Sequence, residues 1–100
     1  MLTHCVFFWL KEGVSASDKA AFEEGVRSLT AIPGVVHGTA GAPAASDRPV
    51  VDRSYSYALM VVFHDMAGHD VYQTHPIHRA FLSKCSPLWT KVVVYDFEAA

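Results

Sequence analysis

The chain has 100 residues, 51% of them hydrophobic and 18% charged, with a net charge of −2. That length predicts one domain over residues 1–100, of a size that buries roughly two-thirds of its unfolded surface. The lack of a basic cluster excludes nucleic acid as a natural partner. No apolar run approaches the ~18 residues of a membrane span, and two cysteines, Cys5 and Cys85, are too few for a disulfide framework or a zinc motif.

No basic region precedes an apolar stretch at the N-terminus, so a cytoplasmic setting is expected. The apolar fraction exceeds what one small core needs, which predicts a second buried surface in the form of a homodimer interface.

Leu2 to Leu10 (LTHCVFFWL) reads as a strand. Alternation sends His4, Val6, Phe8 and Leu10 to one face and Thr3, Cys5, Phe7 and Trp9 to the other. Both faces are mainly apolar, so the sheet is expected to be covered on both sides. Cys5 is expected to be a small core residue, with a reactive thiol as the alternative. Ser15, Ser17 and Asp18 supply N-cap candidates for a helix running to about Ala31, whose buried stripe is Phe22, Val26 and Leu29. Gly25 in that helix is either a close packing contact or space beside a pocket. Ile32-Pro33-Gly34 ends the helix, and Val35 to Ala40 reads as a second strand. Residues 41 to 54, rich in glycine, proline and serine, are the candidate mobile loop. Tyr55 to His64 is the third strand, Met66 to Thr74 and Pro76 to about Cys85 are short helices, and Lys91 to Glu98 is the last strand.

Residues 72 to 78, Tyr72-Gln73-Thr74-His75-Pro76-Ile77-His78, hold a phenol and two imidazoles. Proline pushes the preceding residue out of the α region, so a helix carrying Tyr72 should end near His75. A second helix should start at Pro76, with His78 in its first turn. There the positive helix end disfavours an imidazolium, and a neutral imidazole beside a phenol is a usable general base with a hydrogen-bonding partner. The competing reading is that these histidines cap helices or pack half-buried at the break.

The order strand, helix, strand, strand, helix, strand predicts an α+β, ferredoxin-like βαββαβ protomer with a four-stranded antiparallel sheet. Both helices would lie on one face. Pairing of two such sheets through the other face would close a dimeric α/β barrel.

His4 in an apolar first strand, Ile32-Pro33-Gly34-Val35, the run Tyr72-x-x-His75-Pro76-x-His78, and Asp96-Phe97 in the final strand together resemble the stress-responsive dimeric α/β barrel (Dabb) family. The resemblance covers nearly the whole chain. It implies a small homodimer with a pocket between sheet and helices, and among members with an assigned activity the chain is similar to the olivetolic acid cyclase-type polyketide cyclases. Those act without an organic cofactor, so none is expected here. By that resemblance Tyr72 and His78 are the catalytic pair, and His4, His75 and Asp96 border the same pocket, with Phe22, Leu59 and Val61 as candidate walls for a small hydrophobic or carbonyl-containing ligand. Abstraction of a proton α to a carbonyl needs a base, His78, and a group to stabilise the enolate oxygen, the Tyr72 hydroxyl. For Asp96 an ordinary strand-end carboxylate is the alternative, and for His4 a core-edge histidine. No side-chain metal site is expected. Some members hold a metal ion, assigned as magnesium, on backbone carbonyls at the end of the first helix, which here would be those of Leu29, Ile32 and Val35.

Three functions fit these features. The chain is a cofactor-independent lyase or cyclase, a non-catalytic binder of a hydrophobic metabolite, or a stress-associated structural dimer.

Overall fold

The computed structural model describes residues 1–100. Strand β1 (Leu2–Leu10) leads to helix α1 (Ala16–Ser28), then to strands β2 (His37–Gly41) and β3 (Tyr57–Phe63). Helices α2 (Met66–Thr74) and α3 (Pro76–Cys85) follow, and β4 (Trp89–Glu98) ends the chain. Short 3₁₀ turns at Leu29–Ala31 and Ser86–Leu88 close α1 and α3. The four strands run in the order β2-β3-β1-β4, every pair antiparallel, which is the expected ferredoxin-like sheet. The central pair, β1 and β3, carries no lysine, arginine or carboxylate, as suits strands flanked on both edges.

Alternation along β1 and β3 buries Leu2, His4, Val6 and Phe8 with Tyr57, Leu59, Val61 and Phe63 beneath the helices. Phe22, Val26 and Leu29 from α1, Tyr72 from α2 and Phe81 from α3 complete this core. Full burial of each such side chain is worth about 1.5–3 kcal/mol. Ser15 N-caps α1 by accepting from the Asp18 N–H at 3.1 Å. Gly25 is the packing contact: a Cβ there would lie 2.9 Å from Cys85 Sγ and 3.3 Å from Phe81, so α1 and α3 meet where only glycine fits.

Three expectations change. Cys5 points away from the helices and is half-buried on the open face of the sheet, while Cys85 is the core cysteine. Strand β2 starts at His37, because Gly34, at φ +97°, turns the chain and the Val35 N–H closes onto the Ile32 carbonyl at 3.1 Å. The irregular segment from 42 to 56 is anchored at its far end: Ser54 Oγ accepts from Trp9 Nε1 at 3.1 Å, and Ser56 Oγ from the Leu10 N–H at 2.9 Å.

Candidate functional site

The break between α2 and α3 has the geometry that proline demands. His75 is extended (φ −63°, ψ 143°), ending α2 and opening α3 with Pro76 in its first turn. Its ring is occupied as the cap, with Nδ1 accepting from the Ile77 N–H at 3.1 Å. His75 therefore supports the site from outside the cavity. The break turns His78 inward, where its ring meets Tyr72 edge-on with centroids 4.9 Å apart.

Tyr72 and His78 line one cavity of about 170 Å³ together with His4, Gln73 and a wall that includes Leu59, Phe81 and Trp89. No lysine or arginine lines it. Its rim is apolar because the helices stop short of the edge strand: Val92 and Val94 face the helix side yet remain 42% and 45% exposed. A larger depression of about 310 Å³ lies on the open face among Phe7, Trp9, Tyr55 and Tyr95. It holds no imidazole, and it sits where a second sheet would pack, so the smaller cavity is the chemical candidate.

Beneath the cavity, His4 stands directly opposite Asp96 in the β1–β4 register. His4 Nδ1 and Asp96 Oδ1 are 2.5 Å apart. His69, one helical turn before Tyr72, meets the His4 ring at 4.8 Å between centroids, and its Nε2 lies 3.1 Å from the Gln73 amide nitrogen. Neither His69 nor Gln73 emerged from the sequence. The available signal was spacing, since residues three and four apart share a helix face. Phe22 and Val61, expected as pocket walls, are fully enclosed in the core, Phe22 among Phe8, Tyr57, Phe81 and Trp89. They do not reach the cavity.

Burial sets the electrostatics. It raises the Tyr72 hydroxyl well above the ordinary tyrosine range, which keeps it protonated and a donor. Burial also lowers His78, and the charged forms of His4 and His69 would lower it further. Burial lowers His4 as well, with the hydrogen bond and charge of Asp96 opposing and His69 adding to the shift. Asp96 thus acts on His4 and not on His78. His78 Nδ1 is the buried side-chain polar atom with no hydrogen-bond partner.

One donor atom from each of His4, His69 and Asp96 lies within 4.8 Å of the others, the composition of a two-histidine, one-carboxylate metal set. The 2.5 Å His4–Asp96 separation is shorter than the edge of about 3.3 Å that metal–ligand bonds near 2.0–2.1 Å impose on a tetrahedral ion. His69 already meets Asp70 and Gln73. His4 with Asp96 and His69 with Gln73 are two hydrogen-bonded pairs whose imidazoles pack edge to face. At the end of α1 the Leu29 and Ile32 carbonyls accept from the Ile32 and Val35 N–H groups at 3.3 and 3.1 Å.

The family model described as stress responsive A/B barrel domain (Dabb) matches residues 2–99. A Dabb-family protein with a ferredoxin-like fold from Mesorhizobium loti is 28% identical, with a TM-score of 0.79 over 99% of this chain and 96% of that one. A dimeric ferredoxin-like protein of unknown function from Thermobifida fusca is 24% identical, with a TM-score of 0.79 over 98% and 90% of the two chains. The hydroxynitrile lyase of Passiflora edulis is 23% identical, with a TM-score of 0.76 over 96% and 90%. No protein of curated function matches the sequence significantly.

Proposed function

Because the chain belongs to the stress responsive A/B barrel domain (Dabb) family, we propose that it is a pocket protein that moves protons on a small, uncharged carbonyl compound, with Tyr72 and His78 meeting the reacting group. The observation that carries this reading is a buried imidazole with an unpartnered nitrogen, His78, set edge-on to a phenol in a mostly apolar cavity. Holding a buried polar atom unpaired costs about 1–3 kcal/mol, and such a group calls for an explanation, of which a catalytic role for its ring is one.

Size and charge narrow the ligand. An apolar cavity of about 150 Å³ takes up benzene, so 170 Å³ suits a single ring or a short branched chain. A long polyketide would have to leave through the apolar rim beside Val92 and Val94, which makes a small aldehyde or ketone the better fit. The absence of a lining cation disfavours a carboxylate or phosphate. A lyase of similar fold in Passiflora edulis is consistent with chemistry next to a carbonyl. The protein pairs through its open sheet face, where Tyr95 and Phe97 are 65% and 58% exposed in the single chain. That area is too apolar to stay wet, and similar solved structures are described as dimeric.

Phenylacetaldehyde in D₂O provides the test. Saturable exchange of its α-hydrogens by the wild-type protein, above the buffer rate, is the expected result. Binding without exchange would make the protein a carrier, and no binding at all would remove the pocket reading.

A further inference from the structure

We infer that the proton acceptor of this site is His4, held by Asp96, and that His78 acts beside Tyr72 as a hydrogen-bond donor to the ligand oxygen. The inference rests on the proton-transfer reading above and decides which imidazole performs which part. It begins with strand register. His4 and Asp96 are direct cross-strand partners, and Nδ1 lies 2.5 Å from Oδ1. A carboxylate only accepts, so the hydrogen of that bond sits on His4 Nδ1. The neutral ring then carries its lone pair on Nε2. His4 lines the cavity and is 4% exposed. A carboxylate in this place fixes the tautomer and orientation of the base and stabilises the imidazolium once it forms.

His78 has the reverse arrangement. Its Nδ1 is sealed from solvent and meets no acceptor. A hydrogen on that atom would be an orphaned buried N–H, which is rarer in native proteins than an unsatisfied acceptor. The hydrogen therefore belongs on Nε2, the nitrogen that is not sealed. A ring in that state offers a ligand a donor and no lone pair.

The surroundings agree. The groups facing His4 are Asp96 from β4, His69 and Tyr72 from α2, and His78 from α3. Among them only Asp96 favours an imidazolium at His4, and none is placed to do the same for His78. In the step, His4 Nε2 removes a hydrogen α to the carbonyl as a proton. The C–H electron pair becomes the enolate double bond, and the charge moves to the oxygen, where Tyr72 O–H and His78 Nε2–H donate. Return of a solvent-derived proton from His4 to the same carbon completes an exchange in which nothing is oxidised or reduced.

Two measurements on the wild-type protein and its glutamine variants test the assignment. Imidazole ¹⁵N shifts, recorded at a pH where both rings are neutral, should show hydrogen on Nδ1 of His4 and on Nε2 of His78. In phenylacetaldehyde exchange, His4→Gln should lose about 10²-fold or more, the usual size of a general-base contribution. His78→Gln keeps a donor and should stay within about tenfold of wild type, since a donor worth ~10²–10³ in rate is replaced and not deleted. Asp96→Asn should shift the His4 tautomer as well as the rate, which a merely structural role would not do. Reversed tautomers, or a larger loss in His78→Gln than in His4→Gln, overturn the assignment while leaving proton transfer in place. A wild-type protein that binds the probe and exchanges nothing overturns the assignment together with the reading beneath it.

Discussion

The two faces of the sheet are built from the same strands, one residue out of phase, and they carry different side chains. On β1, His4 lies under the helices between Leu2 and Val6, while its neighbours Thr3 and Cys5 point to the open side. The covered face brings His4, Tyr72 and His78 to one cavity, with Asp96 and His69 against His4 behind it. The open face gathers Phe7, Trp9, Tyr55 and Tyr95, with Lys91 lying 4.6 Å over the Trp9 ring. Alternation alone separates the proposed proton-transfer surface from the proposed pairing surface, and variants on each face test whether the two are independent.

The largest effect should come from the core that supports the covered face. Phe22→Ala removes a ring enclosed by Phe8, Tyr57, Phe81 and Trp89 and should cost about 3–5 kcal/mol in urea unfolding. Because Phe22 does not line the cavity, Phe22→Leu should keep ligand affinity while losing part of that stability. A loss of affinity without loss of stability would place Phe22 in the pocket after all.

On the other face, Phe7→Asp puts a charge at the centre of the apolar surface. Truncating a central aromatic anchor costs about 2 kcal/mol or more, or at least ~30-fold in dissociation constant. Sedimentation at micromolar concentration should show monomers, while phenylacetaldehyde still binds, since Phe7 contributes nothing to the cavity. A variant that loses both together would show that the faces are coupled.

A smaller effect tests His75. As the N-cap of α3 it should lose about 1 kcal/mol on His75→Ala, with exchange unchanged. A large loss of exchange at full occupancy would return it to the catalytic set.

Acidification should weaken the covered face gradually. His4 and His78 both have their imidazole ionisation lowered from 6.5 by burial. Between that value and the lower folded one, the unfolded chain binds more protons than the native protein. The stability these residues contribute is complete above pH 6.5 and is lost as pH falls through the folded values. Melting temperature should therefore decline from pH 7 toward pH 5, and less so in His4→Gln. A flat profile would mean that neither ring is held neutral by burial.

Much of the fold was legible because its signals are local. The alternation in β1, the stripe of Phe22, Val26 and Leu29, and the helix break at His75-Pro76 each depend on neighbours within a few residues. The ends of β2 and β3 were less clear, since Val35, Tyr55 and Ser56 have strand-like patterns but lie outside the ladder, Val35 closed locally onto Ile32 and Ser56 held to Phe8 and Leu10 of β1. At the site, Tyr72 and His78 stood out because a proline separates two histidines. The pairing of His4 with Asp96 depends on strand register between residues 92 positions apart, so sequence could offer Asp96 as a pocket residue without saying which histidine it holds. His69 was invisible for a similar reason, as its face of α2 is defined only once α2 lies on the sheet. Phe22 and Val61 were misplaced because an apolar residue beside a cavity and one behind its wall look alike in sequence.

The central claim is that the covered face transfers protons and does not merely hold a ligand, and Tyr72→Phe tests it most directly. The variant removes one hydroxyl, which makes no hydrogen bond within the protein, and leaves the ring in its place against Phe63 and His78. With phenylacetaldehyde at matched occupancy, the α-hydrogen exchange rate should fall by about 10²–10³-fold, the size expected for loss of one donor to a developing oxyanion, while the probe's affinity stays close to wild type. Exchange at the wild-type rate in the phenylalanine variant would contradict the account.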